Sequence, residues 1–130
     1  MLGTPAGTKR LLSVDDDERI LAVIADVASG LGFEVTLLSE SARFMTTYVR
    51  LKPDVITLDI MMPDLDGIEV IRWLSDIGSP ARVIIISGNP TFLRVGKKLA
   101  DVRGALSTSM LTKPFALADL RNALTTAEAR

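Results

Sequence analysis

The residues of this chain that can do chemistry stand at the ends of short apolar runs. Asp15 and Asp16 follow Leu11-Leu12-Ser13-Val14, Asp59 follows Val55-Ile56-Thr57-Leu58, Ser87 follows Val83-Ile84-Ile85-Ile86, and Lys113 follows Thr108 to Thr112. A charge at the end of a buried run is costly unless partners meet it there. Carboxylates crowded together repel one another and rise in pKa. A hard divalent cation relieves that crowding, and Mg²⁺ suits a site of two carboxylates, a main-chain carbonyl, waters and a phosphate oxygen. The expected ligands are Asp16, Asp59 and the carbonyl of Met61, with Asp15 bound directly or in the outer shell. A carboxylate beside Mg²⁺ can attack phosphorus to give an acyl phosphate, a transfer that depends mostly on positioning and charge neutralisation. Lys113 can neutralise one phosphoryl oxygen, and the Ser87 hydroxyl can donate to another. The chain has no histidine and no Gly-rich nucleotide cradle, so the donor must bring an activated phosphoryl group. A phosphohistidine on another protein would serve.

These residues meet only if the runs that carry them lie side by side and point the same way. Arg10 to Val14 reads as a first strand. From Glu18 to Leu31, Ile20, Leu21, Val23, Ile24, Val27, Ala28 and Leu31 fall at helical spacing, with Gly30 and Gly32 as a stop. Glu34 to Leu38 reads as a second strand, Ser39 to Leu51 as a second helix, and Lys52-Pro53 as a break. Val55, Ile56, Leu58 and Ile60 are apolar on both sides of the two-residue period, as in a parallel strand buried on both faces. A Pro-bearing loop then leads to a third helix, Gly67 to Ile77, closed by Gly78-Ser79-Pro80. Arg82 to Gly88 is the fourth strand. Thr91 to about Gly104 predicts a basic fourth helix with Arg94, Lys97, Lys98 and Arg103; Thr108 to Thr112 a fifth strand; and Leu117 to about Glu128 a last helix. Five strands alternating with five helices imply an α/β fold, a doubly wound five-stranded parallel sheet with helices on both faces. In that architecture ligands bind beyond the carboxyl ends of the strands, where the charged residues stand.

Bulk properties narrow the function. At 130 residues the chain is expected to form one domain, residues 9–130, after a tail at 1–8 without fixed structure. A formal charge of -1 argues against a general nucleic-acid binder, since phosphate backbones are held by excess Lys and Arg. The absence of cysteine and histidine removes disulfides, thiolate and imidazole catalysis, and the usual zinc sites. Apolar runs are too short to span a bilayer, and Met1 to Lys9 lacks the apolar stretch of a signal peptide, so a cytoplasmic protein is expected.

Val14-Asp15-Asp16-Asp17, Asp59-Ile60-Met61-Met62-Pro63-Asp64-Leu65-Asp66-Gly67, Ser87-Gly88 and Lys113-Pro114-Phe115 closely resemble, in that order and spacing, the receiver domains of two-component response regulators. The resemblance runs from about Lys9 to Ala127. It implies a flavodoxin-like receiver fold with Asp59 as phosphoacceptor, Asp15 and Asp16 as metal carboxylates and Met61 as carbonyl ligand. Ser87 would be the switch hydroxyl and Lys113 the phosphate-binding cation, with Lys113-Pro114 often cis in the family. A bacterial phosphorelay protein follows, fed by a histidine kinase or histidine phosphotransfer protein. It would signal to an effector protein or an output domain absent from this chain by altering its fourth-helix and fifth-strand surface. Enzymatic activity would be limited to Mg²⁺-assisted autophosphoryl transfer and slow autodephosphorylation. No direct nucleic-acid or membrane contact is implied, and a homodimer is compatible with the pattern. Two features depart from the family. Met110 stands where a Tyr or Phe usually precedes the lysine by three residues, so the signal is expected to travel through the loop after Ser87. The interval from Ser87 to Lys113 is also long, which is similar to receivers that precede cyclic-di-GMP phosphodiesterase domains in some bacterial regulators.

Each residue also has a plain structural reading. Asp15 to Glu18 fits an acidic helix start, with Asp16 or Asp17 as N-cap. Asp59 and Lys113 fit a structural ion pair, Ser87 a loop cap, Asp66-Gly67 a turn and helix start, and Trp73 and Met110 packing. Three functions compete: a phosphorylation switch, a receiver-fold binding module acting without phosphorylation, and a Mg²⁺-dependent phosphohydrolase. The binding module gives no reason to hold Asp15, Asp16, Asp59 and Lys113 together. A hydrolase of the haloacid-dehalogenase type usually places a second Asp two residues after the nucleophile, where this chain has Met61. The switch is the leading reading.

Overall fold

A computed structural model describes residues 7–62, 65–91, 94, 98 and 106–125, without the side chains of Ser41, Leu65 and Asp66. In chain order the elements are β1 (Arg10–Val14), α1 (Glu18–Gly30), β2 (Glu34–Leu38), α2 (Phe44–Leu51), β3 (Val55–Asp59), β4 (Met61–Met62), β5 (Leu65–Asp66), α3 (Gly67–Asp76), β6 (Arg82–Ser87), β7 (Ser107–Thr112) and a C-terminal helix (Leu117–Thr125). The main sheet is parallel throughout and runs β2-β1-β3-β6-β7. β3 lies at its centre with all five residues buried, as its two-sided apolar pattern requires.

Alternate residues of each strand feed two cores. Leu12, Val14, Ile56, Leu58, Val83 and Ile85 meet Phe44, Tyr48, Val70, Ile71 and Leu74 from α2 and α3. On the opposite face Leu11, Val55, Ile84, Ile86 and Leu111 meet Ile24 and Ala28 of α1 and Leu120 and Leu124 of the C-terminal helix. Each buried Val, Leu, Ile or Phe side chain among these contributes about 1.5–3 kcal/mol by leaving water. Helices clamped on both faces leave the strand ends little freedom, and those ends carry the charges. Trp73 packs as the sequence suggests, edge-on to Phe44 and Tyr48.

Several boundaries differ from the sequence reading. The second helix begins later than Ser39, as a 3-10 turn over Ser41–Arg43 that becomes α2 at Phe44. It stops at Lys52, whose left-handed backbone (φ 52°) turns the chain just before Pro53. The loop after Asp59 contains a small antiparallel ribbon, Met61↔Asp66 and Met62↔Leu65, too short to show a two-residue period. Met110 does not fill a core gap. It is 44% exposed, because β7 is an edge strand and the neighbouring Leu111 takes the buried position. Pro90, Thr91, Arg94 and Lys98 have helical backbone, with Arg94 and Lys98 exposed. The remainder of the predicted fourth helix, with Lys97 and Arg103, lies outside the described residues, as do 1–6, Pro63-Asp64 and the end of the predicted last helix. Among the described residues no helix is long and apolar enough to cross a membrane.

Candidate functional site

The three neighbouring acids at the end of β1 divide into three environments. Asp15 is buried, extends the ladder through its N–H to Leu38 O (3.2 Å), and accepts the Asp17 N–H on Oδ1 at 2.8 Å. Asp16 is exposed. Asp17 caps α1, its Oδ1 accepting the Arg19 N–H at 2.9 Å, so the helix-cap reading belongs to this residue. Asp59 is the last residue of β3 and 4% exposed. Its Oδ1 accepts the Met61 N–H at 2.9 Å and its Oδ2 a hydrogen bond from Lys113 Nζ at 3.0 Å.

Lys113 draws the site together. Its Nζ lies 3.0 Å from Asp15 Oδ2 as well as 3.0 Å from Asp59 Oδ2, so one ammonium bridges the ends of two strands. Its main chain is tied to β6, Lys113 N–H donating to Ser87 O at 3.0 Å, and the Lys113–Pro114 peptide is cis. Burial, assisted by the Asp59 charge, raises the Asp15 pKa above its ordinary value despite the Asp17 N–H and Lys113. Burial pulls the Lys113 ammonium down, but Asp15 and Asp59 more than offset it and its pKa is raised.

A carboxylate oxygen each from Asp15, Asp16 and Asp59 lie within 4.8 Å of one another. Asp15 Oδ2 is buried and, although close to Lys113, has no aligned hydrogen-bond donor. Hard oxygen donors converging on one point fit a hard divalent cation. The sequence-predicted Asp15, Asp16, Asp59 and Lys113 are thus brought together, and Met61 joins them through its amide. Ser87 sits at the same sheet edge, buried, but its Oγ accepts the Asn89 N–H at 2.9 Å, and among the described residues no hydrogen bond links it to the acids. Asn89 Oδ1 in turn accepts the Thr91 N–H at 2.9 Å, fastening the loop after β6.

Two features of the site were missed in the sequence. Thr57 Oγ1 donates to Ser13 Oγ at 2.6 Å between β1 and β3, both hydroxyls fully buried. The sequence offers only a hydroxyl residue two positions before each acid, Ser13 before Asp15 and Thr57 before Asp59; their pairing appears with the register of the strands. Gly67 also packs on the residue after Asp59: a Cβ there would lie 2.7 Å from Ile60 Cα. The sequence marks Gly67 only as a helix start. A cleft of about 510 Å³, lined by residues including Lys9, Gly32 and Phe33, lies at the amino ends of β1 and β2, away from these groups.

Comparison with known proteins gives a consistent result. A family profile described as "Response regulator receiver domain" matches residues 11–125. The response regulator MprA of Mycobacterium leprae is 32% identical over 111 residues, 85% of this chain and 47% of that protein. The transcriptional regulatory protein PrrA of Mycobacterium leprae is 32% identical over 119 residues, 92% of this chain and 49% of that protein. The crystal structure of a response regulator from Colwellia psychrerythraea superposes with a TM-score of 0.78 at 34% identity, covering 95% of this chain and 99% of that one. The chain spans about half the length of the curated relatives it matches.

Proposed function

The chain belongs to the response regulator receiver domain family, whose members are phosphorylation-dependent signalling modules, and from that premise we propose that Asp59 accepts the phosphoryl group in a Mg²⁺-dependent transfer. The observation that carries this reading is the shared ammonium: Lys113 stands 3.0 Å from both Asp15 and Asp59 at the carboxyl edge of the sheet. Asp15, Asp16, Asp59 and the Met61 carbonyl would hold the ion, which when bound neutralises phosphoryl oxygens. The Met61 N–H orients Asp59 by holding Oδ1. An Asp59 oxygen bonds to phosphorus, the phosphorus–nitrogen bond of a donor phosphohistidine breaks, and its electron pair leaves with the imidazole, which takes a proton from water. Lys113 is then placed to pass from Asp59 Oδ2 to a phosphoryl oxygen.

The Ser87 hydroxyl donates to another phosphoryl oxygen. Because Asn89 is tied to Ser87 Oγ and Thr91 to Asn89, a movement of Ser87 carries the start of the fourth-helix segment with it. The exposed Met110 supplies no ring to report that movement, so the loop backbone transmits it. The fourth-helix and β7 surface is the part altered, presented to an effector protein or output domain. The donor is a histidine kinase or histidine phosphotransfer protein. Treatment with acetyl phosphate and Mg²⁺, followed by borohydride reduction of the acyl phosphate and peptide mapping, should place the modification on Asp59. Modification at any other carboxylate contradicts the assignment.

A further inference from the structure

The Ser13–Thr57 hydroxyl pair stands in a place where its chemistry bears on the acids. β1 and β3 pair in register, Leu11↔Val55 and Ser13↔Thr57, and their last paired rung is Val14↔Leu58. Because side chains alternate across a strand, Ser13 and Asp15 face one side, as do Thr57 and Asp59. The column on that side therefore reads apolar, hydroxyl, acid: Leu11 beside Val55, then Ser13 beside Thr57, then Asp15 and Asp59 at the open end. The acids lie one pleat above the hydroxyls, about 7 Å along the strands.

At the level of the acids the pairing between β1 and β3 has ended. Asp15 is held to β2 through Leu38, and Ile60, following Asp59, is held to β6 through Ile86. Each acid is thus anchored on its outer side. Two carboxylates at such an open end repel, and the repulsion acts to splay the strands. Opposing it are the Lys113 ammonium above and, beneath, the 2.6 Å bond between Thr57 Oγ1 and Ser13 Oγ, the last side-chain tie across the two strands on this face. Packing alone gives little reason for the pair: both residues are 0% exposed, and a valine matches the shape of Thr57.

We propose that the Ser13–Thr57 hydroxyl pair is a positioning device that holds Asp15 and Asp59 at the separation a divalent cation requires. Neither residue touches the ion; the tie sets where the ligands stand. The inference rests on the acid cluster being the cation site described above, and it adds to that reading a determinant of affinity within the sheet.

Mg²⁺ binding measured by titration calorimetry tests it, with wild type, Thr57→Val, Thr57→Ser and the double variant Ser13→Ala/Thr57→Val. The double variant removes both hydroxyls, leaves no polar group orphaned, and so keeps the test open if Thr57→Val folds poorly. Loss of stability alone does not change the Kd of the folded protein, which separates positioning from a structural role. The expected result is that the valine-bearing variants weaken Mg²⁺ binding roughly threefold to tenfold, at or below the range seen for residues that directly support metal ligands, while Thr57→Ser retains wild-type affinity. Wild-type affinity in the double variant overturns the proposal and leaves the cation site standing. No Mg²⁺ binding by the wild type overturns the cation site, and the proposal with it.

Discussion

Asp15 is costly to bury in the absence of a cation. Its carboxylate is buried beside Asp59, and one oxygen lacks an aligned donor, so burial raises its pKa above the ordinary 3.8. A raised folded-state value contributes stability that is present below the ordinary value and is lost as pH rises through the folded one. With metal chelated, wild type should therefore lose stability relative to Asp15→Asn over that window, and at neutral pH the variant should be the more stable. Urea midpoints over a pH series with chelator present check this; equal midpoints at every pH contradict it. The Lys113 pKa is also raised, so its contribution is complete below the ordinary 10.5 and is lost only above it. The ammonium thus remains charged throughout the neutral range.

At the scale of elements, the site depends on how α3 seats against the end of β3. Gly67 opens α3 with no room for a Cβ, the nearest atoms being Ile60 Cα and Cγ1 at 2.7 Å and Ile60 O at 2.8 Å. Backbone cannot swing aside as a side chain can, so Gly67→Ala should cost about 1–3 kcal/mol. Because Ile60 adjoins Asp59, the same change should weaken Mg²⁺ binding; unaltered thermal midpoint and affinity in the variant would contradict this seating. The sequence showed β1, β3 and β6 well because they are largely apolar runs that stop at a charged or hydroxyl residue, and it located Asp15, Asp16, Asp59 and Lys113 because parallel strands send their carboxyl ends to one edge. It could not show the Met61–Met62 ribbon, since two residues carry no period. Nor could it show the exposure of Met110, which depends on β7 being an edge, or the Ser13–Thr57 bond, which depends on register between strands far apart in the chain. Asp15 to Asp17 read as one acidic cluster, and only the fold separates the helix cap, Asp17, from the buried Asp15 and the exposed Asp16 that lie near Asp59.

For the whole molecule, the proposed cation would be linked to the fold. A ligand that binds only the native state stabilises it by an amount set by its concentration relative to Kd, about 2.7 kcal/mol at a hundredfold excess. Saturating Mg²⁺ should therefore raise the thermal midpoint by several degrees for a domain of this size, and chelator should reverse the rise. The rise should vanish in Asp15→Asn; a rise of equal size in that variant would place the ion elsewhere. The central claim is that Asp59 is the phosphoacceptor and that the acid cluster makes its phosphorylation metal-dependent. Intact mass after incubation with acetyl phosphate tests it most directly, comparing wild type with Mg²⁺, wild type with chelator, and Asp59→Asn with Mg²⁺. A single phosphoryl adduct on wild type with Mg²⁺, absent from the other two samples, is the predicted result. An adduct of equal yield on Asp59→Asn, or no adduct on wild type under conditions that modify another receiver domain, would contradict the account.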